Sequence, residues 1–533
     1  MPEYLAPGVY MEEFEIGARP IEGVSTSTAG FLGLTERGPS KVPKAVTSFA
    51  DFTRFYGGYM RDSYMAYAVE GFFSNGGKRC FIGRIVHEGA VESKKPVDGV
   101  VFTAAGPGAW GNRVAVRIQN ASNDPENTIS PDGKKFFQLI VAYWKDKIPE
   151  DLAVPEDKEK KKRKFSEITE KAVVEIFDNL SEDPESADHY VKKLSDPLKN
   201  PSNLIFITKD STGRPANTEG SFFIPLEGGS EGAAELSRSD FRSDPDAKPG
   251  DRKGLSAFEE IDEISIIYVP DIHVVKEGDS QTLLDDILTH CELLKDRFAI
   301  IDVPQGENNI GGLTIRTFSP RFSKYAAAYY PWIKISDPLT KKQELKPPGG
   351  YIAGIYARSD TDRGVHKAPA NEVVRGAIDL EYNITKGEHD FLNPRGINVI
   401  RNFPARGILV WGARTAIIDP LWKYINVRRL FIYVEESIEE GTQWVVFEPN
   451  DEKLWARVRA TITQFLTRVW KDGALMGTKA EQAFFVKCDR TTMTQDDIDN
   501  GRLICVIGIA PVKPAEFVIF RIAQWQGGSA ATE

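Results

Sequence analysis

The sequence predicts a multidomain α/β and α+β protein, with a discontinuous core domain from N- and C-terminal parts, an inserted β-rich module and extended terminal arms. Strand and helix patterns alternate after residue 255 and have earlier counterparts before residue 88. Short strand-like runs without helices fill the stretch between. Both ends are too apolar for loose tails. A length of 533 residues, 41% hydrophobic and 27% charged, is enough for several ordinary cores.

Residues 1–22 form an N-terminal arm, in which Tyr4 to Met11 is apolar, rich in strand formers and broken by Pro7-Gly8. The first part of the core covers 23–87, with apolar runs at Ala29 to Leu34 and Cys80 to Ile85. Residues 88–254 read as the inserted module, with strand-like runs at Val114 to Ile118, Phe136 to Trp144 and Ala172 to Phe177. Its last stretch, Gly228 to Gly254, is polar without a period and reads as an exposed loop.

The core resumes over 255–400. Ile264 to Val269 is a β-branched strand, and Leu284, Ile287, Leu288, Cys291 and Leu294 fall at helical spacing. Phe298 to Val303 is another strand, stopped by Pro304, and Trp332 to Ile335 and Tyr351 to Tyr356 continue the pattern less clearly. The C-terminal α+β domain covers 401–511. One of its helices carries Val427, Leu430, Phe431, Val434 and Ile438 on one face. A second, from about Glu452 to Asp472, is capped by Asn450 or Asp451 and buries Leu454, Val458, Ile462, Phe465 and Val469. Leu503 to Ala510 reads as a buried strand that Pro511 and Pro514 prevent from continuing. Residues 512–533 are a C-terminal arm whose Glu516 to Ala523 segment is apolar.

The net charge of -10 argues against long-range attraction to nucleic acid or an anionic membrane. The longest strongly apolar stretch, about Leu503 to Val512, is far short of the ~18 residues of a membrane span. No secretory signal opens the chain, so the expected place of synthesis is the cytoplasm, and four scattered cysteines fit a reducing compartment.

Catalytic and metal signatures are missing. Gly71 to Arg79 has the wrong spacing for a phosphate loop, Asp496 to Gly501 puts Ile498 where a calcium loop needs an oxygen, and the six histidines form no metal pair. The expectation is no catalytic residue, no metal and no cofactor. One rival is a cytosolic hydrolase or metal-dependent enzyme using Asp271, Asp302 and Asp337, each at or just past a strand end, where open α/β sheets bind ligands. The basic run 158–164 reads as a solvated hairpin tip. Arg457, Thr461, Gln464, Arg468 and Lys471 form a stripe opposite Trp455 and Leu466, suited to an acidic partner surface.

The ends suggest assembly. A strand without a partner at home can pair with another subunit's sheet, and a head-to-tail contact of that kind grows an open helical array. Burying the C-terminal segment's five apolar side chains gains about 1.5–3 kcal/mol each, against about 1–2 kcal/mol for ordering each of some eight residues. The sums nearly cancel, so one arm holds weakly and cooperative engagement of two is expected.

The residues resemble the contractile tail sheath proteins of bacteriophages and phage-tail-like injection particles. Tyr4-Leu5-Ala6-Pro7-Gly8-Val9-Tyr10, Glu12-Glu13 and Arg19-Pro20-Ile21 resemble the family's opening, and Pro107 to Asn112 resembles the start of its inserted module. Arg363 to Asn371 and, most specifically, Leu392-Asn393-Pro394-Arg395-Gly396-Ile397-Asn398-Val399-Ile400-Arg401, Gly407 and Trp411-Gly412-Ala413-Arg414-Thr415 resemble further family segments. The resemblance implies a structural, non-enzymatic subunit that polymerises with itself as stacked hexameric rings. Its implied partners are an inner tube protein, a baseplate and tail terminator or cap proteins, with neither nucleic acid nor membrane insertion. Contraction would drive the tube through a target envelope, within a phage tail or an injection particle. It further implies that Val9, Tyr10 and Met11, and Phe517, Val518, Ile519, Phe520 and Ile522, are subunit-linking strands. Arg457, Arg468 and Lys471 become candidates for facing the tube.

Overall fold

Ala29–Leu34 (β1) is buried at all six positions, the mark of a strand covered on both faces, and it is the pivot of the largest sheet. The computed structural model describes residues 20–123, 136–149, 152, 172–195, 201–209, 215–218, 222–242 and 246–521. After β1 come Lys44–Val46 (β2), the helices Phe49–Tyr56 (α1) and Met65–Ser74 (α2), and Cys80–Ile85 (β3), which pairs parallel to β1.

The chain then leaves the sheet. Lys94–Val97 (β4), Val100–Ala104 (β5), Val114–Asn120 (β6), Phe136–Trp144 (β7), Ala172–Ser181 (β8), Ile205–Lys209 (β9) and Ile224–Pro225 (β10) follow. They form antiparallel sheets ordered β10-β6-β7-β8 and β4-β5-β9, around a separate core with Trp110 and Tyr143. The segment Gly228 to Gly254 is not simply exposed. Leu236 and Phe241 are buried against the large sheet's core, and Arg238 forks onto Asp286. Two apolar anchors in a polar stretch are enough to pin it, and they carry no period that a sequence scan can detect.

The chain re-enters the large sheet at Ile266–Tyr268 (β11), runs through the helix Asp279–Leu294 (α3), and adds Phe298–Asp302 (β12) and Ala326–Tyr330 (β13). Ile333–Ser336 (β14) and Gln343–Lys346 (β15) start a small sheet. Helix α4 spans Gly349–Arg363, followed by Glu372–Val373 (β16) and Asp379–Leu380 (β17), which completes the small sheet. Ile397–Phe403 (β18) and Gly407–Val410 (β19) finish the large one. Its order is β16-β19-β18-β13-β12-β11-β1-β3-β2, with β3-β1-β11-β12-β13-β18 parallel and antiparallel strands at both edges. The direction of winding reverses between β1 and β11.

Tyr351 to Tyr356, expected to continue the strands, lies in α4. This stretch is buried on every side, so it shows no amphipathic period. Gly350 explains the packing: a Cβ there would lie 2.4 Å from the Ala68 Cα, so only glycine lets α4 approach α2 this closely.

The last part holds the helices Ile425–Gly441 (α5) and Glu452–Lys471 (α6), the latter capped by Asp451, whose carboxylate accepts from the Lys453 and Leu454 amides. Leu454, Val458, Ile462, Phe465 and Val469 are all buried. Phe484–Lys487 (β20) and Val506–Ile509 (β21) pair antiparallel. The expected buried strand Leu503 to Ala510 is therefore shorter and barer, with Val506 43% exposed. An apolar run signals a strand but not which neighbour covers it. Among the described residues no helix is long and apolar enough to cross a membrane.

Candidate assembly site at the chain ends

Pro511 and Pro514 break the chain after β21, and the segment between them is strapped down. Val512 N donates to the Ala474 carbonyl, and Asn426 Nδ2 donates to the Val512 carbonyl. The strap ends at Glu516. Arg414 donates from Nε to Oε1 at 2.7 Å and from a terminal nitrogen to Oε2 at 2.9 Å, Asn393 Nδ2 donates to Oε1 at 2.7 Å, and the Tyr424 hydroxyl donates to Oε2 at 2.9 Å. Burial alone would favour the neutral acid, but these donors outweigh it and hold the carboxyl below its ordinary range.

Beyond this clamp the chain turns bare. Phe517, Val518, Ile519 and Phe520 are 72%, 67%, 79% and 83% exposed and belong to no strand or helix. Four consecutive large apolar side chains in water are unusual for a finished surface. Residues one and two apart would both be apolar in an extended conformation, the pattern of a strand covered on both faces. Ile522 and the N-terminal Val9, Tyr10 and Met11 lie outside the described residues, as does the basic run 158–164.

The β20–β21 pair shows the complementary property. It is a sheet of two described strands, with Phe485 49% and Val506 43% exposed. Its other face packs into the core of the C-terminal helices through Phe484, Ala483 and Cys488.

On α6, Arg457, Arg468 and Lys471 are exposed, but the expected stripe is not continuous. Thr461 is 1% exposed, tucked into the helix's buried side. At 100° per residue Thr461 borders the apolar face, and a small hydroxyl side chain is readily covered there. Arg457 pairs with Glu448 at 3.1 Å, and Arg468 donates to the Ile21 carbonyl at 2.9 Å. Sequence spacing could not find these partners, which arrive from a loop and from the start of the core.

The aspartates of the rival reading are each taken up by partners within the chain. Asp271 is fully buried and accepts from Leu34 N at 2.7 Å, Ser63 Oγ at 2.9 Å and Tyr64 N at 2.6 Å. It ties β11 to β1 and to the start of α2. Burial raises its pKa to about 6 against the pull of those donors. Asp337 pairs with Lys346 at 2.9 Å and accepts from the Tyr67 hydroxyl and the Leu339 amide. Asp302 accepts from the Tyr268 hydroxyl at the rim of a cleft lined by Tyr64, His273 and Trp332. Two of the three carboxylates thus serve as joints between elements. No group of three His, Cys, Asp or Glu is placed to hold a metal among the described residues.

The comparisons with known proteins agree with this. The phage tail sheath protein central domain matches residues 248–416, and the phage tail sheath C-terminal domain matches residues 418–524, together just over half of the chain. The tail sheath protein of Burkholderia phage BcepMu is 28% identical over 184 residues, 33% of this chain and 38% of that relative. The tail sheath protein of Vibrio phage KVP40 is 27% identical over 186 residues, 34% of this chain and 27% of that relative, so the chain spans well under half the length of these two curated relatives. Among solved structures, the PVC sheath complex of an extracellular contractile injection system in its contracted state superposes with a TM-score of 0.57. It covers 99% of both chains at 22% identity, a likeness of fold. The class is that of structural, non-enzymatic sheath proteins. The chain belongs to the phage tail sheath family.

Proposed function

We propose that this chain is the repeating subunit of a contractile tail sheath. Copies polymerise as stacked hexameric rings around an inner tube, rising from a baseplate and closed by a terminator or cap protein. Contraction drives the tube through a target envelope, and the particle is a phage tail or a phage-tail-like injection device. The work comes from the difference between two packings of the lattice.

The observation that carries this reading is the bare apolar segment Phe517 to Phe520 leaving an anchored base at Glu516. It would pair with β20 or β21 of a neighbouring copy, where main-chain hydrogen bonds supply affinity and the exposed Phe485 and Val506 supply apolar cover. Ile522 extends the same segment, and Val9, Tyr10 and Met11 form a second donor from the other end. Arg457, Arg468 and Lys471 turn towards the tube. The core domain is assembled from residues 23–87 and 255–400 and runs past the expected boundary through β18 and β19 to Val410, with the module of 88–254 facing outward. Names among the similar proteins, which include a helical sheath in a contracted state, support the same reading.

The test replaces Phe517 and Ile519 together with aspartate. The unaltered chain forms long tubes by negative-stain electron microscopy, whereas the variant stays folded by circular dichroism and forms none. Tubes of unchanged length from the variant would overturn the proposal.

A further inference from the structure

The register of the small C-terminal sheet puts two thiols side by side. Phe484 faces Ile509, Phe485 faces Gly508, Val486 faces Ile507 and Lys487 faces Val506. One step further along the same ladder brings Cys488 opposite Cys505. Facing residues on antiparallel strands have Cα atoms about 4.5–5.5 Å apart, inside the span a disulfide bridges without moving the backbone. Both cysteines are free, and each thiol is near enough to shift the acidity of the other. No other pair of the chain's four cysteines is brought together in this way: Cys80 and Cys291 are buried in the large sheet's core.

Access is unequal. Cys488 is 1% exposed within the C-terminal core, while Cys505 is half-buried. We propose that Cys488 and Cys505 are a redox pair that closes to an intrachain disulfide when the protein leaves a reducing compartment and meets a low-molecular-weight disulfide such as oxidised glutathione. The Cys505 thiolate attacks one sulfur of the oxidant, forming a mixed disulfide and expelling one glutathione thiolate. The Cys488 thiolate then attacks the Cys505 sulfur, closing the protein disulfide and expelling the second. Two protein thiols are oxidised, one small disulfide is reduced to two thiols, and the two protons pass to the departing thiolates.

Burial pushes the Cys505 thiol up to about 12, helped by the neighbouring Cys488 sulfur, and burial also raises Cys488. The thiolate fraction at neutral pH is therefore small and closure is slow, faster as pH rises. A slow reaction suits a bond made once, after assembly. The bond would fix the register of β20 against β21 and close the loop of residues 489–504, which carries the capped turn at Thr494. Resting on the proposed function, the same bond would stiffen the hairpin that accepts a neighbour's strand.

The full chain is purified under reductant, exchanged into buffer with oxidised glutathione, quenched with an alkylating agent and weighed by intact mass spectrometry. The expected product is lighter by two hydrogen atoms than the reduced chain, with a proteolytic fragment joining Cys488 to Cys505. Cys505→Ser should abolish that product while leaving the circular dichroism unchanged. Cys488→Ser should instead stop at a glutathione adduct on Cys505, and Cys488→Ala gives the same readout if serine is not tolerated in the core. Thermal melts should show the oxidised chain several degrees above the reduced one. A stable glutathione adduct on unaltered protein, or no oxidation at all under conditions that oxidise a free dithiol peptide, would overturn the proposal. Because the readout is a mass on the isolated chain, failure of strand exchange between copies would not produce either result.

Discussion

Arg414 and Glu516 lie 102 residues apart and meet as a two-pronged ion pair at the root of the C-terminal arm. Asn393 and Tyr424 complete the cradle around the same carboxylate. Asn393 and Arg414 sit in the two stretches that most resemble the sheath family, so those residues have a physical task here: they fix where the chain stops being body and becomes arm.

Replacing Arg414 with alanine should therefore loosen the strap without unfolding the protein. It removes two charged hydrogen bonds and leaves a mostly buried carboxylate with two neutral donors, a cost of about 1.5–3 kcal/mol. Hydrogen exchange at Val512 and Glu516 should speed up roughly tenfold or more, while β11 and β12 remain protected. Unchanged exchange at the strap would show that the pair adds nothing.

The clamp should also weaken in acid. The Glu516 carboxyl ionises more readily folded than unfolded, so its contribution is complete above its ordinary value of 4.5 and fades as pH falls through the lower folded value. Below that point the arm's root should exchange like that of Glu516→Gln. At neutral pH the two should differ.

Glu436 has the opposite sign. Burial and the neighbouring Asp296, Glu440 and Asp262 raise its pKa from 4.5 to about 8, with Arg297 opposing them. The folded state keeps a proton that the unfolded chain releases, so stability from this site is complete below 4.5 and drains away as pH rises towards 8. Thermal midpoints should fall between about pH 5 and 8 in the unaltered protein and fall less in Glu436→Gln.

The buried aspartates should separate sharply. Asp271→Asn offers one acceptor oxygen to donors from Leu34, Ser63 and Tyr64 and should cost at least about 3 kcal/mol. Asp302→Asn can still accept from the Tyr268 hydroxyl and should cost nearer 1 kcal/mol. Urea titrations of the two variants measure the contrast. A test that changes Asp271, Asp302 and Asp337 together to judge catalysis would read out misfolding instead.

On α6, Arg457→Glu with Lys471→Glu should leave the isolated chain's melting temperature nearly unchanged, because both side chains are exposed. Co-assembly with the proposed inner tube should be impaired, as scored by electron microscopy. Arg468 is left out because it also holds the Ile21 carbonyl.

Much of this was legible in the residues. The buried strands β1, β3 and β12 announced themselves as short apolar runs, and α6 by its period and its Asp451 cap. What escaped were features set by partners distant in sequence. Helix α4 was hidden because a helix buried all round has no polar face to reveal it. Asp271 was noticed at a strand end, but nothing local says that its acceptors are already spoken for by Leu34 and Ser63. Thr461 lies about 20° around α6 from the buried Leu454, at the border of the two faces, where spacing alone does not say which side covers it. Glu516 opens a segment legible only as apolar, and only the fold brings Arg414 to it.

The two extremities are laced crosswise. Ile21 belongs to the chain entering the large sheet, yet it is seated among Leu430, Val434 and Phe465 of the C-terminal helices, with Val24 N bonded to Ser437. Glu516 belongs to the chain leaving those helices, yet it is tied to Arg414 beside the large sheet. A pull on either tip is met first by the opposite lobe, so traction cinches the seam between the lobes before it reaches the interior of either.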